Sequence, residues 1–185
     1  MKRILILAAL ATVSLASCDK VKDATSKDIT VNGVEFQFTG NTEAVKSGAS
    51  ITRSAATTST FSVTKEVDIS DLSDSEVIEY ADKISKVKVN SSLVKVTMDA
   101  SGVVTVTNFE ITAEGVDGSI KVPSYTVGED FVPTKEMNAY TAALIKKLLD
   151  SKKLKVTVKG ETDAPAGTKV TVRYKNDIVF TLSLL

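Results

Sequence analysis

The alternation of apolar and polar positions is clearest near the C-terminal end of the chain. Leu154, Val156 and Val158 alternate with Lys155, Thr157 and Lys159. Val170, Val172 and Tyr174 alternate with Lys169, Thr171 and Arg173, and Ile178, Phe180, Leu182 and Leu184 with Val179, Thr181 and Ser183. A period of two puts one set on a buried face and the other in water, as in antiparallel sheets with one wet side. Lys175-Asn176-Asp177 has turn chemistry, so the last two runs are expected to form a tight hairpin.

Similar patterns predict earlier strands. Ile29 to Phe38 reads as a first strand, with Asn32-Gly33 as a kink or turn. Gly40 to Thr60 has few apolar residues and is expected to be a long loop. Phe61, Val63, Val67 and Ile69 resume strand character. Ile84 to Val89 and Leu93 to Met98 read as two strands separated by Asn90-Ser91-Ser92, and Asp99-Ala100-Ser101-Gly102 as a turn. From Val103 to Ala113 the apolar phase changes, since Val104 and Val106 fall on one count and Phe109 and Ile111 on the other; a bulge near Thr107 and Asn108 reconciles them. Gly115 to Gly118 turns the chain, and Ser119 to Val127 is a further strand that Pro123 confines to an edge.

Two stretches have helical spacing instead. Ser73-Asp74-Ser75-Glu76 reads as a capping box with Leu72 and Val77 as its staple, and Val77, Tyr80, Ala81 and Ile84 line one face of a helix over 74–84. Pro133-Thr134 opens a second helix with Thr134 as cap and with Met137, Tyr140, Leu144, Ile145, Leu148 and Leu149 in a wide apolar stripe. The stripe suits packing on a sheet better than lying on a membrane, because the polar face carries only a few lysines. These elements predict a mainly β protein, an antiparallel β-sandwich of about eight or nine strands with two inserted helices; the alternative is an α+β sheet covered by the 134–150 helix.

The N-terminus follows a different pattern. Met1-Lys2-Arg3 is a short positive region, Ile4 to Ala11 is apolar, and Thr12 to Ser17 turns to small residues. The order is that of an export signal, and the apolar part is shorter than the roughly 20 residues a spanning helix needs. Leu15-Ala16-Ser17-Cys18 resembles the lipobox of bacterial lipoproteins. The resemblance implies cleavage between Ser17 and Cys18, a diacylglycerol on the Cys18 thiol, and acylation of the new amine. Its partner is then a lipid bilayer, because two or three acyl chains hold a protein stably at about 0.8 kcal/mol per buried methylene. The expected organisation is a signal peptide over 1–17, a lipidated tether over 18–28, and one β-rich domain over 29–185. The chain is also loosely similar in style to small lipoproteins of the Bacteroidota, in which charged residues after the lipidated cysteine can direct surface export; Asp19-Lys20-Val21-Lys22-Asp23 resembles that signal, with Val21 interrupting it. In enterobacteria an aspartate directly after the lipidated cysteine, as Asp19 would be, instead implies retention at the inner membrane; an outer-membrane address, periplasmic or surface-exposed, is the leading expectation.

Composition narrows the chemistry. Removing Lys2 and Arg3 from the 23 basic residues leaves 21 against 23 acidic ones, which gives no electrostatic case for nucleic acid. Cys18 is the only cysteine, so no intramolecular disulfide is available. With no histidine, the chain lacks the commonest general base and metal ligand, and a Ser-His-Asp triad is impossible. Asp68, Asp71, Asp74, Glu76, Glu79 and Asp82 form an acidic stretch, but the first three are spaced by three and no glycine follows, unlike a calcium-binding EF-hand loop; helix-start electrostatics accounts for them. Asp117-Gly118 and Glu129-Asp130 read as turns. No catalytic residue, cofactor site or metal site is assigned, and no enzyme activity is expected. The leading expectation is a non-enzymatic interaction, structural or adhesin-like module with a protein partner. The alternative is a carrier or binding protein for an apolar or glycan ligand, for which the absence of tryptophan is unfavourable.

Overall fold

A computed structural model describes residues 25–45 and 58–184. In chain order its elements are β1 (Ser26–Asn41), β2 (Glu43–Ala44), β3 (Ser59–Asp68), a 3-10 turn (Ile69–Leu72), α1 (Ser75–Glu79), a second 3-10 turn (Ala81–Lys83), β4 (Ile84–Met98), β5 (Thr105–Ala113), β6 (Ile120–Thr126), β7 (Asp130–Phe131), α2 (Lys135–Ser151), β8 (Lys153–Thr162) and β9 (Lys169–Ser183). They form an antiparallel β-sandwich of nine strands, with a four-stranded sheet ordered β1-β9-β4-β7 and a five-stranded sheet ordered β2-β3-β8-β5-β6.

The expected hairpin at Lys175-Asn176-Asp177 does not form. β9 is one continuous strand of 15 residues, paired with β1 on one side and β4 on the other. Its buried face runs unbroken through Val170, Val172, Tyr174, Asn176, Ile178, Phe180 and Leu182. The expected break between two strands at Asn90-Ser91-Ser92 is absent too, because β4 spans both. The polar triplets and Asn32-Gly33 instead meet at one level of the sheet. Val31 and Val34 of β1 face Ile178 and Asn176, so β1 carries one extra residue there; Val89 and Ser92 of β4 face the same two positions, so β4 does as well. Two bulges thus flank β9, and a bulge needs polar or glycine backbone chemistry much as a turn does. Gly33 takes φ +72°, a conformation that strongly favours glycine.

Asp177 joins the two bulges. Its carboxylate accepts the Gly33 backbone N–H at 2.9 Å and the Ser91 hydroxyl at 2.6 Å. The Ser91 hydrogen bond, then that from Gly33, and then the Lys175 charge hold its pKa below the ordinary aspartate value, against a small opposing effect of burial. On the inner face, Asn176 accepts from the Ser92 hydroxyl at 2.8 Å and donates to the Tyr174 carbonyl at 3.3 Å.

The bulge expected near Thr107 and Asn108 is present in β5, with Asn108 at φ 50° and the pairing to β8 skipping between Thr107 and Glu110. Pro123 lies in β6, at the edge of the five-stranded sheet. Within the expected long loop, Gly40 and Asn41 belong to β1, Glu43 and Ala44 form β2, and Ser59 starts β3. β1 also begins at Ser26, so residues 26–28, expected in the tether, are in the sheet.

The first helix is shorter than its periodicity suggests. Ser73 is not its cap: it ends the preceding 3-10 turn in a left-handed conformation, and Asp74 caps α1 by accepting the Val77 N–H at 2.9 Å. The reciprocal capping box lies one turn earlier, between Asp68 and Asp71. Leu72, Val77, Ala81 and Ile84 are buried as expected.

Thr134 caps α2, whose Tyr140, Leu144, Ile145, Leu148 and Leu149 are buried. The helix does not cover one sheet from outside. It packs chiefly on β4 and also on β8, closing the flank between the sheets, while β1 and β3 approach one another on the opposite flank. Thr141 on its inner face is hydrogen-bonded to the Tyr174 hydroxyl of β9. Phe36, Phe38, Phe61, Phe109 and Phe180 fill the interior, each contributing about 1.5–3 kcal/mol of burial. Gly160 leaves room for one of them: a Cβ there would stand 2.8 Å from the Phe61 ring and 2.9 Å from Val106.

Two substitutions test this packing. Asp177→Ala leaves the Gly33 N–H and Ser91 hydroxyl without their acceptor and is expected to lower stability by about 1–2 kcal/mol. Because the folded-state pKa is lowered, Asp177 stabilises the protein above its unfolded-state pKa, so the difference between wild type and variant in urea unfolding shrinks as pH falls through the folded value. Gly160→Ala overpacks the core and is expected to cost about 1–3 kcal/mol in the same measurement.

Candidate functional site

Strand direction gives the sandwich two distinct ends. Ser26 pairs with Ser183 and Ile84 with Leu182, so the start of β1, the end of β9 and the start of β4 share one end. Asn41 pairs with Lys169, Met98 with Val170 and Val106 with Thr162, which places residues 42–45 and the 99–104 and 163–168 connections at the other. At about 3.3 Å per residue, β9 separates the ends by about 45–50 Å. The first may be called proximal, since the chain enters the domain there, and the second distal. Cys18, Ser17, the 1–17 signal segment and residues 18–24 of the tether lie outside the described residues.

Side chains and backbone together pin the distal loops. Buried Thr42 donates its hydroxyl to the Pro165 carbonyl at 2.6 Å and accepts the Thr168 N–H at 2.9 Å, while its own N–H and carbonyl bond Thr168 and Gly167. Asp163 accepts the Thr105 N–H at 2.9 Å. Between these loops lies a cleft of about 330 Å³, lined by Asp99, Val103, Asp163, Ala164 and Pro165 among others. Val103 is 84% exposed and Val45 47% exposed, so two large apolar side chains project at this end. Short loops on a rigid sandwich, with apolar residues held in water, are a common form of recognition surface.

A second feature lies on the outer face of the five-stranded sheet. Glu110 follows the Asn108 bulge, and its side chain is 17% exposed between Lys159 at 2.9 Å and Lys121 at 3.4 Å. Hydrogen bonds from Lys159 and Ser119, with Lys121 adding its charge, lower its pKa from 4.5 to about 2. A depression of about 430 Å³ beside it includes Glu43, Ser62 and Glu161. The pairing satisfies Glu110 as a strand-to-strand clamp: with so low a pKa it stays ionised and is a poor general acid or base near neutrality.

The acidic stretch is dispersed into local roles. Asp68 and Asp71 cap the 3-10 turn, Asp74 caps α1, Glu76 pairs with Lys27, and Asp82 pairs with Lys152 at 2.7 Å. Among the described residues, no group of three potential ligands is placed to hold a metal ion. Gly118 is in a turn against the Tyr140 ring, while Asp130 belongs to β7 and pairs with Lys95 at 3.2 Å. No described helix is long and apolar enough to cross a membrane. The distal loop cluster was not legible as a site, because its three segments are more than 50 positions apart along the chain and meet only through strand pairing.

Glu110→Gln tests the clamp on the outer face. It is expected to lower stability by about 1 kcal/mol at neutral pH, since the partner lysines are largely exposed. A depressed pKa stabilises the fold above 4.5, and that contribution is lost as pH falls toward about 2. Wild type and variant should therefore converge in acid when thermal midpoints are compared across this range.

No protein-family model matches the chain, and no curated protein does. Among solved structures, it is similar to one of Desmodium yellow mottle tymovirus, with a TM-score of 0.37 and 10% identity over 100% of this chain and 97% of that one. It is also similar to structures of the Gt and Gx strains of infectious bursal disease virus, each with a TM-score of 0.25 and 14% identity over 85% of this chain and 32% of theirs. This chain thus spans about a third of the bursal disease virus chains. Likenesses this distant carry no argument about function, which rests on the chain's own chemistry and geometry.

Proposed function

We propose that this protein is a bacterial lipoprotein held at the outer membrane by acyl chains on Cys18, and that its domain is a non-enzymatic interaction module whose distal loops meet a protein partner. The supporting observation is the polarity of the sandwich: the chain enters at Ser26, while Val45, Val103 and the 163–168 loop stand about 45–50 Å away at the far end. An anchor at one end and exposed apolar loops at the other is an arrangement suited to display.

The carrier alternative has less in its favour. Among the described residues, the inner positions of both sheets are occupied by packed side chains, and the depressions beside Glu110 and between the distal loops lie at the surface. Five of the six phenylalanines and three of the four tyrosines are buried, which leaves few aromatic rings to stack on a sugar.

Two measurements test the proposal. Intact mass of membrane-extracted protein is expected to show a diacylglyceryl-modified Cys18 at the N-terminus, and Cys18→Ala to leave the protein unlipidated and released from membranes; an unmodified Cys18 overturns the anchor. A photo-crosslinking residue at Val103 is expected to give a discrete protein adduct in intact cells, whereas the same residue at Thr157 on the outer sheet face gives none. Equal labelling at both positions, or none at either, overturns the distal interaction surface.

A further inference from the structure

The proximal end has surface chemistry of its own. Leu184 is 59% exposed, and its backbone N–H bonds the Thr25 carbonyl at 2.8 Å, so this apolar side chain sits where the chain enters the domain. Beside it, Lys27, Glu76, Tyr80, Lys83, Leu182 and Ser183 complete a shallow groove of about 270 Å³. The Lys83 ammonium lies 5.5 Å from the Tyr80 ring centre. An exposed leucine with a partly buried tyrosine and two lysines on long stems is a combination that suits a lipid headgroup layer, with apolar atoms inward and charges at the water boundary.

The reach of the chain points to the same occupant. Seven residues, Asp19 to Thr25, separate Cys18 from the first residue of β1. Fully extended they span at most about 25 Å, about half the length of the sandwich. A lipid on Cys18 therefore keeps the proximal end close to the bilayer whatever path those residues take. Carboxylates outnumber lysines at this end: Glu76 pairs with Lys27, Asp82 with Lys152, and Glu66 and Asp68 share Lys153, while Asp71 and Asp74 cap backbone N–H groups and Glu79 lies against Tyr80. Contact of this kind needs no anionic lipid.

We propose that the groove formed by Lys27, Tyr80, Lys83 and Leu184 rests on the headgroup layer of the bilayer that holds Cys18, so that the sandwich stands upright with its distal loops outermost. This inference rests on the lipoprotein reading above and adds a second, protein-mediated contact with the membrane.

The chain has no tryptophan, so a single introduced indole reports without background. Full-length lipidated Leu184→Trp, Tyr80→Trp and Val103→Trp variants would be reconstituted into phosphatidylcholine vesicles containing lipid brominated near the headgroup. Emission from the indoles at 184 and 80 is expected to fall by about half relative to unbrominated vesicles, as for an aromatic at headgroup depth, and emission from position 103 to be unchanged. Two proximal reporters keep the test decisive if one variant folds poorly, and the pattern should persist at high salt. Unquenched proximal indoles in vesicle-bound protein with a lipidated Cys18 overturn the docking while leaving the anchor intact. Quenching at position 103 as well overturns the upright orientation. An unmodified Cys18 in protein that does not float with vesicles overturns the anchor reading and this inference with it.

Discussion

β9 is hydrogen-bonded along both edges for most of its 15 residues, and both neighbours insert one extra residue at the same level. The four-stranded sheet depends on this accommodation. Without the bulges, Ile29 and Val31 could not share a buried face with Val34 and Phe36, nor Val89 with Val94, because each pair falls on opposite counts of a two-residue period. Asp177 holds both bulges from the outer face, through Gly33 and Ser91. Asn176 occupies the inner face at the same level, where Ser92 and the Tyr174 carbonyl satisfy it. A buried amide so satisfied is tolerated, whereas an unpaired one would carry a desolvation penalty of about 1–3 kcal/mol.

That polar level continues toward α2. Tyr174 presents its hydroxyl to Thr141, whose side chain also donates to the Met137 carbonyl at 3.0 Å. Burial raises the Tyr174 pKa, against its hydrogen bonds with Thr141 and Ser92, so its hydroxyl stays protonated near neutrality. The helix is thereby set in rotation against β9 by a directional bond as well as by its apolar stripe. Leucine and isoleucine contacts alone would permit several orientations of similar energy, and a hydroxyl pair in a dry interior discriminates among them.

A long double-edged strand also gives the domain its polarity. Loops at the two ends of β9 cannot exchange neighbours, so the chemistry near Ser183 and that near Lys169 remain about 45–50 Å apart. The proximal end collects Leu184, Tyr80 and a cluster of mainly acidic charges; the distal end collects Val45, Val103 and loops tied down by Thr42.

By itself the sequence determined the strand-rich class, the inward positions of most strands, the α2 stripe with its Thr134 cap, the β5 bulge at Asn108 and the edge position of Pro123. Each follows from local periodicity or from the backbone demands of one residue. It also carries Leu15-Ala16-Ser17-Cys18, four consecutive residues that resemble a lipobox and on which the proposed function rests. Tertiary structure decided what the polar triplets become. Turn and bulge draw on the same residues, and only pairing with neighbouring strands tells them apart. One local clue was present in β9: Tyr174 and Ile178 keep the same parity across Asn176, as an uninterrupted strand requires, whereas the parity changes in β1 and β4 mark their bulges. Asp74 rather than Ser73 caps α1 because the preceding turn already uses Ser73 in a left-handed conformation, a constraint set by Asp68 and Asp71. The two ends were invisible for a simpler reason: their residues are far apart along the chain, and strand direction alone brings them together.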